Sequence, residues 1–141
     1  MERVVSDASV IVKWFIEEEY SDKALELRNK HINGEISIIA PELLYYEVLN
    51  ALKYSRLFEL EELKLAALSL SNYGIKLYSL KGRLAENTVE IAVERNITVY
   101  DAAYVALAIN LDTVLYTADE KLIQKLGEKY ENVVIHISKI P

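Results

Sequence analysis

The stretch RVVSDASVIV, residues 3–12, contains the main features from which the fold can be predicted. The β-branched residues at its beginning are typical of a short strand buried on both faces, which we place at 3–6. The apolar spacing that follows predicts a helix over 9–18. Asp7 lies at the junction, directly after the strand. Ligands of parallel α/β sheets bind outside the carboxyl ends of the strands. The stretch therefore predicts an α/β protein with an acidic side chain at the position where such proteins bind ligands.

The same alternation of strand and helix continues along the chain. Apolar runs and helical periodicity predict strands over 35–40, 75–78, 113–117 and 132–137, and helices over 21–33, 41–55, 60–72, 82–95, 101–110 and 119–127. Strands that alternate with helices imply right-handed crossovers and a mainly parallel sheet. We therefore expect one Rossmann-like domain over residues 1–141, with three α/β/α layers.

Composition narrows the possible functions. The chain has 22 acidic and 16 basic residues and a formal net charge of −6, so it lacks the basic surface on which simple nucleic-acid binding depends. The absence of cysteine excludes disulfides, thiolate zinc sites and cysteine nucleophiles, and the two histidines, His31 and His136, match no zinc spacing. A metal-dependent nuclease stays compatible, because its site must itself be acidic. No targeting or membrane-spanning segment is evident, and we expect a cytoplasmic protein.

Four acidic residues stand in apolar surroundings, where a carboxylate is costly unless it is paired or bound to metal. Three of them, Asp7, Asp101 and Asp119, lie at a strand end or at a predicted helix start, so each can also be explained as a helix cap. The fourth, Glu47, lies on the apolar face of the predicted helix that contains PELLYYEVLNAL. The alternative for Glu47 is an edge position from which its side chain reaches solvent.

These four carboxylates are more informative as a set. Parallel topology can bring strand ends and helix starts to one edge of the sheet, where anions that share a cleft of low dielectric repel strongly. Without a cation, at least one of them should hold a proton near neutral pH. Mg²⁺ and Mn²⁺ prefer oxygen ligands and would offset this repulsion. The sequence thus predicts a divalent-metal site made of carboxylates.

Four segments, taken in order, resemble the PIN-domain family and, within it, the VapC-type toxin ribonucleases. They are VVSDAS at 4–9, PELLYYEVLNAL at 41–52, TVYDAAYVALA at 98–108 and LYTAD at 115–119. Their order and spacing cover nearly the whole chain. The resemblance implies a small Rossmann-like α/β/α fold and a Mg²⁺- or Mn²⁺-dependent endoribonuclease of a toxin–antitoxin pair.

The resemblance also implies which residues form the site. The catalytic residues and metal ligands would be Asp7, Glu47, Asp101 and Asp119, with Ser9, Asn50 and Thr117 as supporting polar groups. Because no histidine or thiol lies near these segments, the nucleophile is best supplied by a metal-activated water. The implied partners are an RNA substrate, a second copy of the chain in a homodimer, and a VapB-type antitoxin. The sequence does not specify the RNA target or the number of metal ions.

Other classes that gather carboxylates at strand ends fit less well. A receiver-type phosphoacceptor domain needs a second acid near the first strand, and Asp7 has no acidic neighbour there. A haloacid-type phosphatase needs an aspartate two residues after the first, where this chain has Ser9. A catalytically silent PIN-fold interaction module remains the alternative.

The tyrosines within the quoted segments allow two interpretations. Four of them are Tyr45, Tyr46, Tyr104 and Tyr116. Single-stranded RNA is recognised on aromatic faces, so stacking on bases is one role. We favour packing in the core or in a dimer interface, because buried aromatic rings contribute much apolar area.

Overall fold

A computed structural model of the chain describes residues 2–141. The strands are β1 (Glu2–Ser6), β2 (Ile36–Pro41), β3 (Lys76–Tyr78), β4 (Leu115–Thr117) and β5 (Val134–His136). The helices are α1 (Ala8–Ile11), α2 (Ser21–Ile32), α3 (Leu44–Ser55), α4 (Leu60–Asn72), α5 (Gly82–Arg95), α6 (Val99–Asn110) and α7 (Glu120–Leu126). None of the helices formed by residues 2–141 combines the length and hydropathy that crossing a bilayer requires.

The five strands form one sheet in the order β3-β2-β1-β4-β5, and every pair of neighbours is parallel. Strand β1 is central: Val5 is in register with Ile39 of β2 on one side and with Leu115 of β4 on the other. The chain adds β2 and β3 on one side of β1, and then β4 and β5 on the other. The order therefore reverses between β1 and β4, which is where open α/β sheets bind their ligands. The predicted α/β class with a parallel sheet is confirmed.

Both faces of the sheet are covered. Val4, Val5 and Ser6 are all buried, as are residues 38–41 of β2, although successive strand residues point to opposite faces. Helix α6 contacts β1, β2 and β4 and packs against α5, and its residues 102–108 are all buried. A helix that is apolar all round is typical of a central, fully enclosed position. The layering predicted from the continuous apolar runs is thus present.

The first predicted helix is wrong in its length. A helix over 9–18 was expected, but α1 ends at Ile11 and is followed by a single 3₁₀ turn, Val12–Trp14. The turn buries the indole of Trp14, whose Nε1 donates to the carbonyl of Ala24 at 2.8 Å and whose ring lies edge-on to Tyr73, with 5.0 Å between ring centroids. These tertiary contacts outweigh the local helical pattern.

Two other helix starts also differ from the prediction. Pro41 is the last residue of β2 rather than the first of a helix, because it pairs with Tyr78 of β3, and α3 begins only at Leu44. Helix α6 begins at Val99, two residues before the predicted start at Asp101, and its cap is Thr98. The second shift matters for the site, since Asp101 is not needed as a cap.

Candidate active site

Asp7 lies at the centre of the site, between the end of β1 and the start of α1. It caps α1, with its Oδ1 accepting from the backbone N–H of Ser9 at 3.1 Å and from the Ser9 hydroxyl at 2.6 Å. Its Oδ2 accepts from the hydroxyl of Thr117 at 2.5 Å. Asp7 is therefore a helix cap, as the capping alternative predicted. Capping uses only some of its hydrogen-bond acceptor positions, because a carboxylate has about four of them.

Ser9 and Thr117 join the two loops that leave β1 and β4. The Ser9 hydroxyl accepts from the backbone N–H of Ala118 at 2.9 Å while it donates to Asp7, and the Thr117 hydroxyl accepts from the N–H of Asp119 at 3.1 Å. Each hydroxyl thus uses its donor and an acceptor position. This network fixes Asp7 at the topological switch point of the sheet.

Removing the Ser9 hydroxyl should weaken the fold measurably. In Ser9→Ala, the N–H of Ala118 loses its acceptor and Asp7 loses one donor, so we expect the free energy of unfolding to fall by about 1–3 kcal/mol. Urea denaturation at neutral pH measures this loss. The matched control is Ser71→Ala, whose exposed hydroxyl donates only to the carbonyl of Leu68 and should change stability by less than about 0.5 kcal/mol. Equal effects in the two variants would contradict the assigned network.

Glu47 approaches the site from α3 and is tied to α6. The hydroxyl of Tyr104 donates to its Oε1 at 2.6 Å, and Tyr104 is almost fully buried. A hydrogen bond of this length to a carboxylate is a strong one. The side chain of Glu47 is partly buried rather than extended into solvent, so the edge-position alternative does not describe it.

Asp101 and Asp119 sit at the starts of α6 and α7 with different partners. The hydroxyl of Thr98 accepts the N–H of Asp101 at 3.0 Å, so Asp101 lies within the first turn and its carboxylate is not used as a cap. Asp119 caps α7, accepting the N–H of Leu122 at 3.1 Å. The capping alternative thus holds for Asp119 and fails for Asp101.

The four acids influence one another electrostatically. Burial, with a smaller contribution from the charge of Asp101, raises the pKa of Asp7 to about 6, against the lowering effect of its hydrogen bonds. Burial also raises the pKa of Glu47, and the charge of Asp101 adds to it. The pKa of Asp101 is raised by burial and then by the charge of Asp119. The charge of Asp101 thus acts on Asp7 and Glu47, and the charge of Asp119 acts on Asp101, so the four carboxylates are electrostatically coupled.

The donor set fits a hard divalent cation. The ion pairs among residues 2–141 do not include any of the four acids, although the more distant charge of Lys125 partly lowers the pKa of Asp101. Within that same part of the chain, no three acidic or histidine side chains are close enough to enclose one ion together. Mg²⁺ needs only one or two carboxylates because it keeps several waters. Asp7 and Asp101, with Glu47 and Asp119 around them, can supply such an open set of oxygen ligands.

Asn50, the third predicted supporting residue, lies at the rim. It is exposed and lines the same cavity as Glu47, one helical turn away on α3. Ser9 and Thr117 contact Asp7 directly, whereas Asn50 is an exposed residue of the cavity lining.

Tyr104 and Thr98 were not predicted as part of the site. Tyr104 was interpreted as a packing residue, which its burial confirms, but its hydroxyl also holds Glu47. A signal for this role exists in the sequence: Tyr104 lies three residues after Asp101 on a helix, and a buried tyrosine hydroxyl needs a partner. Tyr46 is 79% exposed, so it does not pack in the core, and its packing in a dimer interface stays a prediction.

Comparison with known proteins agrees with this geometry. The chain matches the family model of the PIN domain over residues 4–129. Ribonuclease VapC3 from Pyrobaculum aerophilum is 30% identical over 128 residues, covering 87% of this chain and 94% of that protein.

Solved structures show the same fold. The crystal structure of PAE2754 from Pyrobaculum aerophilum has a TM-score of 0.60 and 27% identity, covering 98% of this chain and 92% of that one. A toxin–antitoxin complex from Klebsiella pneumoniae has a TM-score of 0.64 and 16% identity, covering 95% and 97%. With four acidic side chains at the switch point of a five-stranded parallel sheet and a family match over most of its length, this chain belongs to the PIN-domain family.

Proposed function

We propose that this PIN-domain protein is a VapC-type endoribonuclease toxin that hydrolyses RNA phosphodiester bonds with Mg²⁺ or Mn²⁺. The observation that carries the proposal is the electrostatic linkage of Asp7, Glu47, Asp101 and Asp119 at the switch point, without a basic partner in an ion pair among residues 2–141. The 30% identity to a ribonuclease over most of both chains supports RNA as the substrate.

The residues have distinct roles in this proposal. Asp7 is the most deeply buried acid and offers the oxygens that Ser9 and Thr117 hold in place. The carboxylate of Asp101 does not cap a helix, so Asp101 is the most direct candidate for a second metal ligand. Glu47 and Asp119 would complete the acidic site from α3 and α7.

Bound Mg²⁺ or Mn²⁺ would lower the pKa of a coordinated water and offset the charge that develops on the scissile phosphate. The chain itself provides orientation and charge. Asp7 is fixed by three hydrogen bonds, and Glu47 is fixed by Tyr104. Active-site groups held this rigidly need little reorganisation during the reaction.

Tyr104 is proposed as a positioning residue for Glu47. Tyr104→Phe keeps the ring and removes only the hydroxyl that donates to Glu47 at 2.6 Å. Loss of an outer-shell partner typically costs 10- to 100-fold in metal affinity or activity, so we expect the Mn²⁺ concentration for half-maximal cleavage to rise by about tenfold. Cleavage titrated with Mn²⁺ measures the change, and thermal unfolding in metal-free buffer reports any structural loss. A drop in stability with an unchanged Mn²⁺ requirement would contradict the positioning role.

The proposed function is tested by incubating the purified chain with a mixture of single-stranded and structured RNA. Cleavage should require Mg²⁺ or Mn²⁺, stop on addition of EDTA, and return when the metal is restored in excess. Loss of this activity in Asp101→Asn excludes a contaminating nuclease as its source. Failure to cleave any RNA in the presence of either metal would contradict the proposal.

A catalytically silent interaction module is the second candidate. The observation in its favour is that Asp7 and Asp119 both accept backbone N–H groups as helix caps, which gives them a structural reason to be present. A module of this kind would bind Mn²⁺ no better than an ordinary acidic surface and would show no metal-dependent cleavage. The same assay therefore separates the two candidates.

The proposed partners follow from the same relatives. A structural neighbour from Klebsiella pneumoniae was solved as a toxin–antitoxin complex, which supports a VapB-type antitoxin as the inhibitor of this chain. We also propose a homodimer. Size-exclusion chromatography with light scattering tests the dimer, and loss of RNA cleavage on addition of a VapB-type antitoxin tests the inhibitor.

A further inference from the structure

A cavity of about 520 Å³ opens beside the acidic site. It is lined by Leu43, Tyr46, Glu47, Asn50 and Tyr100, from the start of α3 to the start of α6. Glu47 belongs both to this cavity and to the acidic site, so a molecule bound in the cavity lies next to a phosphate bound at the carboxylates. The volume falls within the range of small-ligand sites.

Two large aromatic rings at this cavity are left open to solvent. Tyr46 is 79% exposed and Tyr100 is 63% exposed. Neither ring forms an aromatic or a cation–π pair within the part of the chain that the structure describes. Exposed aromatic faces beside an acidic cleft are a stacking surface that the fold itself does not use.

The polar groups of the cavity favour a neutral, flat ligand. Glu47 is the one charged residue of its lining, and its negative charge disfavours a phosphate inside the cavity. One oxygen of Glu47 accepts from Tyr104, which leaves the other oxygen as an acceptor. The exposed amide of Asn50 supplies both a donor and an acceptor. This combination matches a nucleobase, whose edge carries donors and acceptors and whose faces stack on aromatic rings.

We propose that the cavity between Tyr46 and Tyr100 is a subsite for one unpaired nucleobase next to the scissile phosphate, with Asn50 contacting the base edge. This inference rests on the proposed ribonuclease function and adds to it. Stacking gives affinity for any base, because every base has a π-face, and the Asn50 amide gives a preference among bases.

Kinetics on a short single-stranded RNA that the wild-type protein cleaves test this subsite. Tyr46→Ala and Tyr100→Ala should each raise KM by about tenfold and leave kcat within about twofold, as expected for the loss of one stacking contact. Tyr46→Phe keeps the ring and should restore the wild-type KM. The matched control is Tyr54→Ala, which removes a ring that is 68% exposed on the same helix but outside the cavity, and should leave KM unchanged.

A binding measurement separates the subsite from the reaction. Single-stranded RNA that contains 2-aminopurine is titrated into Asp101→Asn, with and without the Tyr46→Ala substitution. We expect quenching of 2-aminopurine fluorescence in the protein with both rings, and at least about fivefold weaker binding when Tyr46 is removed.

The outcomes distinguish the two proposals. Wild-type cleavage with an unchanged KM in both tyrosine variants would overturn the subsite and leave the ribonuclease function standing. Absence of wild-type cleavage would overturn the function, and the subsite would then stand or fall on the 2-aminopurine titration alone. If the tyrosine variants instead become monomeric in sedimentation while their KM is unchanged, the rings belong to an interface between two copies and the subsite is wrong.

Discussion

Asp101→Asn is expected to reduce metal-dependent RNA cleavage by at least about 100-fold while leaving the fold intact. The magnitude follows from the loss of one electrostatic group in an active site, which commonly costs 10²- to 10³-fold in rate. Asp101 is the best single test because its carboxylate is not used as a helix cap: Thr98 accepts its N–H, and the first turn of α6 does not depend on its charge for capping. Initial rates on RNA in Mg²⁺ and in Mn²⁺, together with the circular dichroism spectrum, measure both parts of the expectation.

The control for this variant is a carboxylate outside the site. Glu86→Gln changes an exposed acid on α5 by the same loss of one charge and should cleave RNA at the wild-type rate. An Asp101→Asn protein that cuts as fast as the wild type would remove Asp101 from the acidic site. A general loss of activity in both variants would point instead to an effect of net charge.

Asp7→Asn should make the metal-free protein more stable than the wild type at neutral pH. Burial raises the pKa of Asp7 from its ordinary value of 3.8 to about 6, which corresponds to about 3 kcal/mol of destabilisation whenever the folded protein holds Asp7 ionised. Asparagine has nearly the same shape and no charge, so it avoids this cost, but its Nδ2 cannot accept from the Thr117 hydroxyl as Oδ2 does, which removes about 1 kcal/mol of the gain. For a chain of this size the remaining gain of about 2 kcal/mol corresponds to roughly 4–8 °C in Tm.

The pH dependence of that gain has a definite sign. The pKa of Asp7 is higher in the folded than in the unfolded chain, so the folded chain binds the extra proton and the ionisation penalty disappears as pH falls through 6 towards 4. The difference in unfolding free energy between Asp7→Asn and the wild type should therefore be largest at pH 7 and above, and nearly absent at pH 4. Urea denaturation in EDTA at a series of pH values measures it.

Metal should reverse the order of stability at neutral pH. A divalent cation that binds the folded state stabilises it by mass action, and this effect should be large for the wild type and small for Asp7→Asn. If Asp7→Asn is clearly less stable than the wild type in metal-free buffer at pH 7, then Asp7 acts mainly as a cap and hydrogen-bond partner. That result would contradict the claim that the charge of Asp7 destabilises the metal-free fold.

Local sequence was sufficient for the fold class and for naming the candidate acids, whose catalytic role stays a prediction. The runs around Val4 and Ile38 are too apolar to be solvated on either face, and their alternation with helical segments leaves a parallel sheet as the simplest arrangement. Asp7 was identifiable because it directly follows a strand, and Asp119 because it lies two residues after one. These are properties of neighbouring residues, which sequence periodicity reports well.

Tertiary contacts decided the details that give the acids their roles. Pairing of Pro41 with Tyr78 moved the start of α3 from Pro41 to Leu44, and burial of Trp14 shortened the first helix. Thr98 caps α6, so Asp101 is not needed as its cap, although aspartate has the higher intrinsic preference for the capping position. Each of these outcomes depends on a residue far away in the chain or on competition between two neighbours, and periodicity carries no information on either.

The sequence by itself determined an α/β chain with carboxylates at the ends of its strands, because strand and helix formation and the cost of an apolar environment depend on adjacent residues. Only the tertiary structure decided which acids are caps, that Tyr104 of α6 holds Glu47 of α3, and that Tyr46 faces solvent beside the site. The physical reason is that burial and hydrogen-bond partners at the site come from segments up to 110 residues apart, as between Asp7 and Thr117. Such distances in sequence are closed only when the parallel sheet assembles.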